Sequence, residues 1–409
     1  MKYSKLFLVL VGGMLFVLLL SYLPAIVSPL SPDPVRLSKA FDDGISRIRL
    51  FLVVVCLFIF WLFIFLLDTN KSKKNKTKAG WAFLMTAVIV MGVNFFVNPR
   101  GLYPIHWIEA RVENSRKIKA DLYHESAKDQ QIIILGSSRA YSFSPSYIQE
   151  SLNYSAFNFS VLNGRLVDSV IISNFVFDHA SVAPDLFIIE VSPFGSYEPS
   201  VSLTNTSSAF LPYMDKEWML EYFRMRAEGL LSAHHFSEAI YAFFYHVKFS
   251  ESPLPWLQWE VFADGGASRP INPYFEETMD LKNESEELLC SLEDVDLQTV
   301  YLTRLAQHAE ENGTSVIFIM TPWQPGYYQS VLADSGTYHQ CVSLYDDIFL
   351  NLQSQFDGIY YRDYSDISEI KGNATALGFY DQQHMTPMNA NFVIDALSSS
   401  INEVMVEKP

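Results

Sequence analysis

Hydrophobic and polar positions follow two different patterns along the chain. The first part contains three long apolar runs, at residues 6–27, 50–67 and 79–97, and the second of them has no polar interruption. Runs of about 20 apolar residues have the length that a helix needs to cross the hydrocarbon core of a bilayer. We therefore predict a membrane anchor of three transmembrane helices within residues 1–100.

Lysine positions indicate how this anchor is oriented. The connection of residues 68–78 carries five lysines, which is typical of a cytoplasmic loop. Three spans then place the rest of the chain on the periplasmic or extracellular side of the inner (cytoplasmic) membrane. Two alternatives stay open. The first run could be a cleaved signal peptide, and if the third run, which contains Thr86, Gly92 and Asn94, did not span, the long domain would be cytoplasmic.

From about residue 119 onward, short apolar runs alternate with segments of helical periodicity. This alternation predicts an α/β domain, residues 101–409, with helices packed on a parallel sheet in three layers. The predicted strands are residues 131–135, 156–161, 185–191, 315–320 and 358–362, and the predicted helices are residues 144–152, 166–179, 292–311 and 387–404.

The alternation stops between about residues 194 and 280, where aromatic residues and prolines are frequent. We interpret this stretch as an insertion of helices and loops over the carboxyl edge of the sheet, placed to contact substrate or a partner. The alternative is a helical subdomain with its own core, because aromatic residues at helical spacing more often form a core than a binding surface.

Charge divides the chain at the same place as hydrophobicity. Residues 1–100 hold 12 Lys and Arg against 4 Asp and Glu, a balance of +8, whereas the remainder has a balance of −24 within a total of −16. So acidic a domain is not expected to bind nucleic acid. The long domain contains Cys290 and Cys341, which could form one disulfide in an oxidising compartment or be two unrelated thiols.

One candidate site follows the first predicted strand. The segment Ile132-Ile133-Ile134-Leu135 runs into Gly136-Ser137-Ser138 and then a polar turn, which exposes a hydroxyl at the carboxyl end of the sheet. Open α/β folds place their sites at this edge. Taken alone, Gly-Ser-Ser is more typical of a helix N-cap than of a nucleophile.

A second segment supplies what a serine nucleophile requires. Asp381 and His384 lie three residues apart directly before a predicted helix, so one loop could provide both a base and the carboxylate that orients it. A lone Asp-x-x-His is also typical of a surface loop or half a metal site. No Cys or carboxylate cluster supports a metal, and we predict no metal and no cofactor.

With these two segments and Asn158-Phe159-Ser160-Val161-Leu162-Asn163-Gly164 between them, the chain resembles the SGNH (GDSL-like) hydrolase superfamily over roughly residues 132–396. The resemblance implies Ser138 as nucleophile, His384 as base and Asp381 as its orienting carboxylate. It also implies that the backbone amides of Ser138 and Gly164 form the oxyanion hole.

One block departs from that family. Where the family usually has Gly-x-Asn-Asp, this chain has Glu190-Val191-Ser192-Pro193, so the oxyanion asparagine is absent and the Ser192 hydroxyl is the candidate replacement. This departure and the N-terminal anchor resemble membrane-attached SGNH proteins of alginate O-acetylation and teichoic acid D-alanylation. Those proteins work beside a multi-spanning membrane O-acyltransferase, and the resemblance implies a polysaccharide substrate.

Two further residues are candidates for substrate binding. Arg139 follows the proposed nucleophile and could hold an anionic sugar, with a salt bridge to a neighbouring carboxylate as the alternative. Trp323 follows a predicted strand and could stack on a sugar ring, with simple packing as the alternative. Two functions therefore compete: a membrane-anchored serine acyltransferase or esterase, and a catalytically weak scaffold that recruits polymer to a membrane partner.

Overall fold

The computed structural model describes residues 87–97 except 89, 115–192 except 127, 207–232, 236, 239, 259–270, 292–332 and 336–406. The chain divides into two compact units. One comprises Met1–Glu113 with Arg224–Ser250, and the other comprises Asn114–Phe223 with Glu251–Pro409. The second unit contains the sheet and both candidate segments.

Within the described residues, the strands are β1 (Ile132–Leu135), β2 (Ala156–Asn158), β3 (Leu186–Val191), β4 (Glu260–Val261), β5 (Ala267–Ser268), β6 (Ser315–Met320) and β7 (Ile359–Asp363). Five of them form a parallel sheet in the order β2-β1-β3-β6-β7, which confirms the predicted α/β class. Every residue of β1 and β3 is buried, as expected for strands covered on both faces. Strands β4 and β5 form a separate antiparallel hairpin.

Helices pack on both faces of this sheet. On one face, Ile132, Leu186 and Ile317 share a core with Val393 and Leu397 of the last helix. On the other face, Phe318 contacts Phe349, with ring centres 5.0 Å apart. The helices are α1 (Ser115–Ser126), α2 (Pro145–Leu152), α3 (Leu166–His179), α4 (Lys216–Leu231), α5 (Leu292–Glu311), α6 (Gly336–Gln355) and α7 (Pro387–Val406).

Most element bounds agree with the sequence pattern to within two residues. The largest difference is β2, which ends at Asn158 rather than at residue 161, although the Phe159 and Val161 amides still donate to the carbonyls of Ile134 and Gly136. Helix α6 was not predicted, and it carries the disulfide-bonded Cys341. Cys290 lies outside the described residues.

The described part of the other unit includes a helix that ends at residue 97, within the third predicted apolar run. Its Asn94 amide donates to the carbonyls of Gly229, Leu230 and Ser232 at 2.8–3.1 Å. The predicted spans at residues 6–27 and 50–67 lie outside the described residues. Among the described helices, none combines the length and the apolarity that crossing a membrane requires.

Candidate active site

Ser138 is presented by a tight turn at the carboxyl end of β1. Gly136 has φ of +143°, and an added Cβ there would lie 2.6 Å from the Cβ of Glu190, so both backbone conformation and space require glycine. The Ser137 hydroxyl caps the following 3₁₀ turn by accepting from the amide of Arg139 at 3.2 Å. The turn thus holds Ser138 at the sheet edge, where a nucleophile was predicted.

His384 and Asp381 lie directly against this serine. His384 Nε2 is 2.8 Å from Ser138 Oγ, and its Nδ1 is 2.8 Å from each carboxylate oxygen of Asp381. Because an ionised carboxylate only accepts hydrogen bonds, Nδ1 carries the proton and Nε2 is the acceptor that faces the serine. The structure therefore brings the three predicted residues into one hydrogen-bonded chain.

The loop that carries His384 is fixed at several backbone positions. Asp381 Oδ1 accepts from the amides of Gln383 and His384, both at 2.9 Å, so the carboxylate orients its own loop as well as the imidazole. The Ser142 hydroxyl, four residues after Ser138, donates to the carbonyl of Met385 at 2.6 Å. This contact joins the two halves of the site without using a catalytic atom.

Asp381 is held in its charged form. Burial alone raises the pKa of Asp381, but the neighbouring His384, its hydrogen bond, Arg269 and the Gln383 amide together bring that pKa well below its usual value. The side chain remains 38% exposed. Asp381 is therefore ionised throughout the pH range in which a histidine base operates.

Two residues of the site flank the hairpin β4–β5: Trp259 belongs to the aromatic stretch predicted to cover this edge, and Arg269 was missed in the sequence. Arg269 donates through Nη2 to Asp381 Oδ2, and its guanidinium carbon lies 4.8 Å from the ring centre of Trp259. Trp259 in turn meets the His384 ring edge-on, with centres 5.7 Å apart. The insertion had been predicted to cover this edge, but no motif distinguished Arg269 from the other charged residues within it.

The same hairpin also contacts the nucleophile turn. The Ala267 amide donates to the carbonyl of Tyr141 at 2.9 Å, and the Asn158 amide donates to the carbonyl of Asp264 at 3.0 Å. Gly265, with φ of +81°, would place an added Cβ 2.2 Å from the Asn158 carbonyl oxygen. A short piece of the insertion thus holds both catalytic segments at once.

Asn158 is a buried hub beneath the nucleophile turn. Its Nδ2 lies 2.8–3.2 Å from the carbonyls of Ala140, Tyr141 and Phe143. Its Oδ1 accepts from the amide of Ser160 at 3.0 Å. Because an unpartnered buried carbonyl is costly, this one amide group stabilises the backbone that follows Ser138.

Gly164 lies against the nucleophile turn but does not offer its amide as predicted. The amide donates to the carbonyl of Val161 at 2.9 Å. An added Cβ would lie 2.4 Å from the carbonyl oxygen of Gly136, so this glycine is needed for close backbone approach. By contrast, the Ser138 amide has no hydrogen-bond partner among the described residues and stays available to an oxyanion.

The segment at the end of β3 contributes the Glu190 carboxylate, where the family resemblance predicts an asparagine amide. Glu190 is buried, and its Oε2 accepts from the Ser137 amide at 2.9 Å. Ser192 lies at the end of β3, where its carbonyl accepts from the Tyr345 hydroxyl at 3.0 Å. Glu190 is therefore a residue of this block that contacts the nucleophile turn.

Neither predicted substrate-binding residue faces solvent, and both expectations are corrected. Arg139 is buried, donates to the carbonyl of Thr321, and lies 3.9 Å from Glu190 Oε1. Burial lowers the pKa of Arg139 against the opposing effect of Glu190. Trp323 is 2% exposed and packs its ring 3.8 Å from the Arg139 guanidinium. The structure instead shows the alternative for each residue: Arg139 lies beside the Glu190 carboxylate, and Trp323 packs inside the fold.

Comparisons with known proteins give structural matches at low sequence identity. No protein-family model matches, and curated proteins give no match. A Streptococcus pneumoniae protein assigned as a platelet activating factor is 10% identical, with a TM-score of 0.36 over 70% of this chain and 91% of that one. A Bacteroides fragilis protein assigned as an acylhydrolase is 11% identical, with a TM-score of 0.34 over 71% and 95%. A GDSL-like lipase from Bacteroides thetaiotaomicron is 9% identical, with a TM-score of 0.33 over 71% and 99%.

Proposed function

We propose that the chain is a serine acyltransferase or esterase of the SGNH type that acts on O-acyl groups, most simply acetyl, of a cell-envelope or secreted polysaccharide. One observation carries the proposal: the continuous contact from Ser138 Oγ to His384 Nε2 and from His384 Nδ1 to Asp381, each at 2.8 Å. A serine hydroxyl needs such a base to act as a nucleophile near neutral pH.

In the proposed reaction, Ser138 Oγ attacks the acyl carbonyl while His384 Nε2 takes the hydroxyl proton. Asp381 stabilises the imidazolium that forms, and the Ser138 amide faces the oxyanion. Collapse of the tetrahedral intermediate breaks the bond to the leaving alkoxide, which receives the proton from His384. A second hydroxyl then accepts the acyl group from Ser138. Water as acceptor gives an esterase, and a polymer hydroxyl gives a transferase.

The location follows from features outside the site. The N-terminal apolar runs favour an anchor in the cytoplasmic membrane, with the catalytic domain on the periplasmic or extracellular side. The disulfide at Cys341 supports an oxidising compartment. A polysaccharide substrate and a multi-spanning membrane O-acyltransferase as partner come from the family resemblance.

The competing function is a catalytically weak scaffold that brings polymer to that membrane partner. It is favoured by the Gly164 amide, which already donates to the Val161 carbonyl, and by the missing asparagine after β3. Removing a single oxyanion donor lowers turnover by about 10²- to 10³-fold. An intact Ser138, His384 and Asp381 is the argument for catalysis.

Full-length protein in detergent micelles would decide between these functions. We expect it to cleave a chromogenic acetyl ester, to release acetate from an O-acetylated glycan, and to be labelled at Ser138 by a fluorophosphonate. Ser138→Ala should abolish all three, whereas Ser151→Ala, at an exposed helical serine, should retain them. Equal ester cleavage by wild type and Ser138→Ala, together with no labelling, would leave the scaffold as the answer.

A further inference from the structure

Arg269 reaches the proposed catalytic carboxylate from a segment that none of the family blocks includes. Its Nη2 donates to Asp381 Oδ2, on the carboxylate oxygen that does not accept the loop amides. Its backbone amide donates to the Tyr380 hydroxyl at 3.2 Å. The guanidinium is enclosed by two aromatic rings, with its carbon 4.8 Å from the ring centre of Trp259 and 5.1 Å from that of Tyr380.

This arrangement holds the cation in one place. The Arg269 side chain is only 9% exposed, so its charge is poorly screened by solvent. Two aromatic faces and one carboxylate fix a planar guanidinium more firmly than they could fix an ammonium group. The carboxylate is therefore clamped from two directions, by the His384 ring and its loop amides on one side and by Arg269 on the other.

A fixed cation on Asp381 has a consequence for the base. When His384 takes the serine proton, Asp381 stabilises the imidazolium by its negative charge. Arg269 Nη2 and His384 Nδ1 both contact Asp381 Oδ2, so Arg269 holds the carboxylate oxygen that the imidazole uses. Without Arg269 the carboxylate loses this second contact, and the imidazole is oriented less firmly toward Ser138.

The groups that contact the imidazole or Asp381 come from three segments. Asp381 belongs to the same loop as His384, Arg269 and Trp259 flank the hairpin β4–β5, and Ser138 belongs to the turn after β1. The Tyr380 hydroxyl accepts from the Arg269 amide. The buried Arg139 of that turn lies 3.9 Å from Glu190. Among the described residues, Arg269 is thus the arginine that pairs with Asp381.

We propose that Arg269 is a positioning residue for the acyl-transfer site, which holds Asp381 in the orientation that the His384 base requires. The inference rests on the proposed function. It goes beyond the serine, histidine and aspartate by assigning a fourth residue, contributed by the insertion. Arg269 contacts no reacting atom and acts only through Asp381.

The test compares full-length protein carrying Arg269→Met or Arg269→Lys with wild type. The kcat and KM for a chromogenic acetyl ester and the rate of fluorophosphonate labelling would be measured at neutral pH. Arg269→Met should lower kcat and the labelling rate about 10-fold at unchanged KM, because Asp381 loses one of its two clamps. Arg269→Lys should recover part of both rates, because an ammonium group can still pair with Asp381 but is held less firmly.

Arg304→Met is the matched control, since Arg304 forms an exposed ion pair with Asp215 at 3.0 Å. It should leave kcat, KM and the labelling rate unchanged. Rates in Arg269→Met equal to those of wild type, or a loss in Arg269→Lys as large as in Arg269→Met, would overturn the role of Arg269. If Arg269→Met does not fold, Arg269→Gln, which also removes the charge, is measured in its place with the same expected result. Wild type that neither cleaves nor is labelled would instead overturn the proposed function, and the inference with it.

Discussion

The two sides of the candidate site differ in how completely they are built. On the base side, His384 and Asp381 are joined to the serine, to loop amides and to Arg269 by direct contacts. On the oxyanion side, the Gly164 amide already donates to the Val161 carbonyl, and the end of β3 contributes the buried Glu190 carboxylate. Because oxyanion donors usually supply the largest single contribution to acyl transfer, we expect an activated serine with slow turnover.

The largest effect is expected from Asp381→Asn, which tests the base side. The amide cannot hold the imidazole in the required tautomer and leaves Arg269 without its charge partner. We expect kcat for a chromogenic ester to fall by about 10³- to 10⁴-fold. Circular dichroism would establish that the variant is folded. A loss of less than about tenfold would mean that the carboxylate is not part of the catalytic chain.

Asn158→Asp tests the support of the oxyanion side. A carboxylate would replace a donor that faces three backbone carbonyls, which is repulsive in a buried position. We expect the free energy of unfolding to fall by about 3 kcal/mol, measured by urea denaturation at neutral pH. Asn351→Asp, at an exposed position of α6, is the matched control and should change stability little. Equal stability of both variants would contradict the role of Asn158 in stabilising the backbone after Ser138.

Gly164→Ala separates a steric role from an oxyanion role. The new methyl would collide with the Gly136 carbonyl at the turn that carries the nucleophile. We expect a loss of about 1–3 kcal/mol in unfolding free energy together with a fall in kcat. Gly336→Ala, where an added Cβ meets nothing within 4 Å, should leave both quantities unchanged. A fall in kcat with full stability would restore the Gly164 amide as a donor.

At acidic pH, protonation of Asp381 should remove the stabilisation that its charged carboxylate gives to the fold. The pKa of Asp381 is lowered in the folded state, so the carboxylate stabilises the fold above its unfolded pKa of about 3.9. That contribution is lost as the pH falls from about 4 toward the lowered folded pKa. The side chain is 38% exposed, so we expect only about 1 kcal/mol. Chemical denaturation at about pH 6 and about pH 3 should show the advantage of wild type over Asp381→Asn shrinking in acid; a constant advantage would contradict it.

The smallest effect is expected from Ser192→Ala. The Ser192 carbonyl accepts from the Tyr345 hydroxyl, and a change to alanine preserves that carbonyl. We expect kcat to change by less than about threefold, against about 10² for the loss of an oxyanion donor. A large fall in kcat at unchanged KM would show that the hydroxyl faces the oxyanion, and the two sides of the site would then be more alike.

The sequence pattern predicts the sheet well because its strands are short apolar runs between turn residues. The helices at residues 166–179 and 292–311 were predicted with the bounds observed. Helix α6 was missed because its exposed and buried residues are mixed along the chain, as in the exposed Leu350 beside the buried Phe349. Periodicity weakens where a helix buries only a narrow face.

A site residue could be predicted from the sequence when the residues it works with lie close to it along the chain. Asp381 and His384 share one loop, and Ser138 follows a strand directly, so their chemistry and spacing were visible together. Arg269 is 112 positions from Asp381, and nothing in its own neighbourhood marks it. Arg139 and Trp323 were expected to face substrate because charge and aromaticity resemble a binding site, but they pair with each other inside the fold.

The wide separation of the nucleophile from its base has a consequence for how the protein is made. Ser138 and His384 are 246 positions apart and meet across the assembled sheet. Contacts between distant parts of a chain form slowly, because closing a long loop costs entropy before the contact stabilises anything. Folding intermediates therefore carry a serine without a proton acceptor. Reactivity toward esters should appear only with the completed fold, so an immature chain cannot acylate itself or its neighbours.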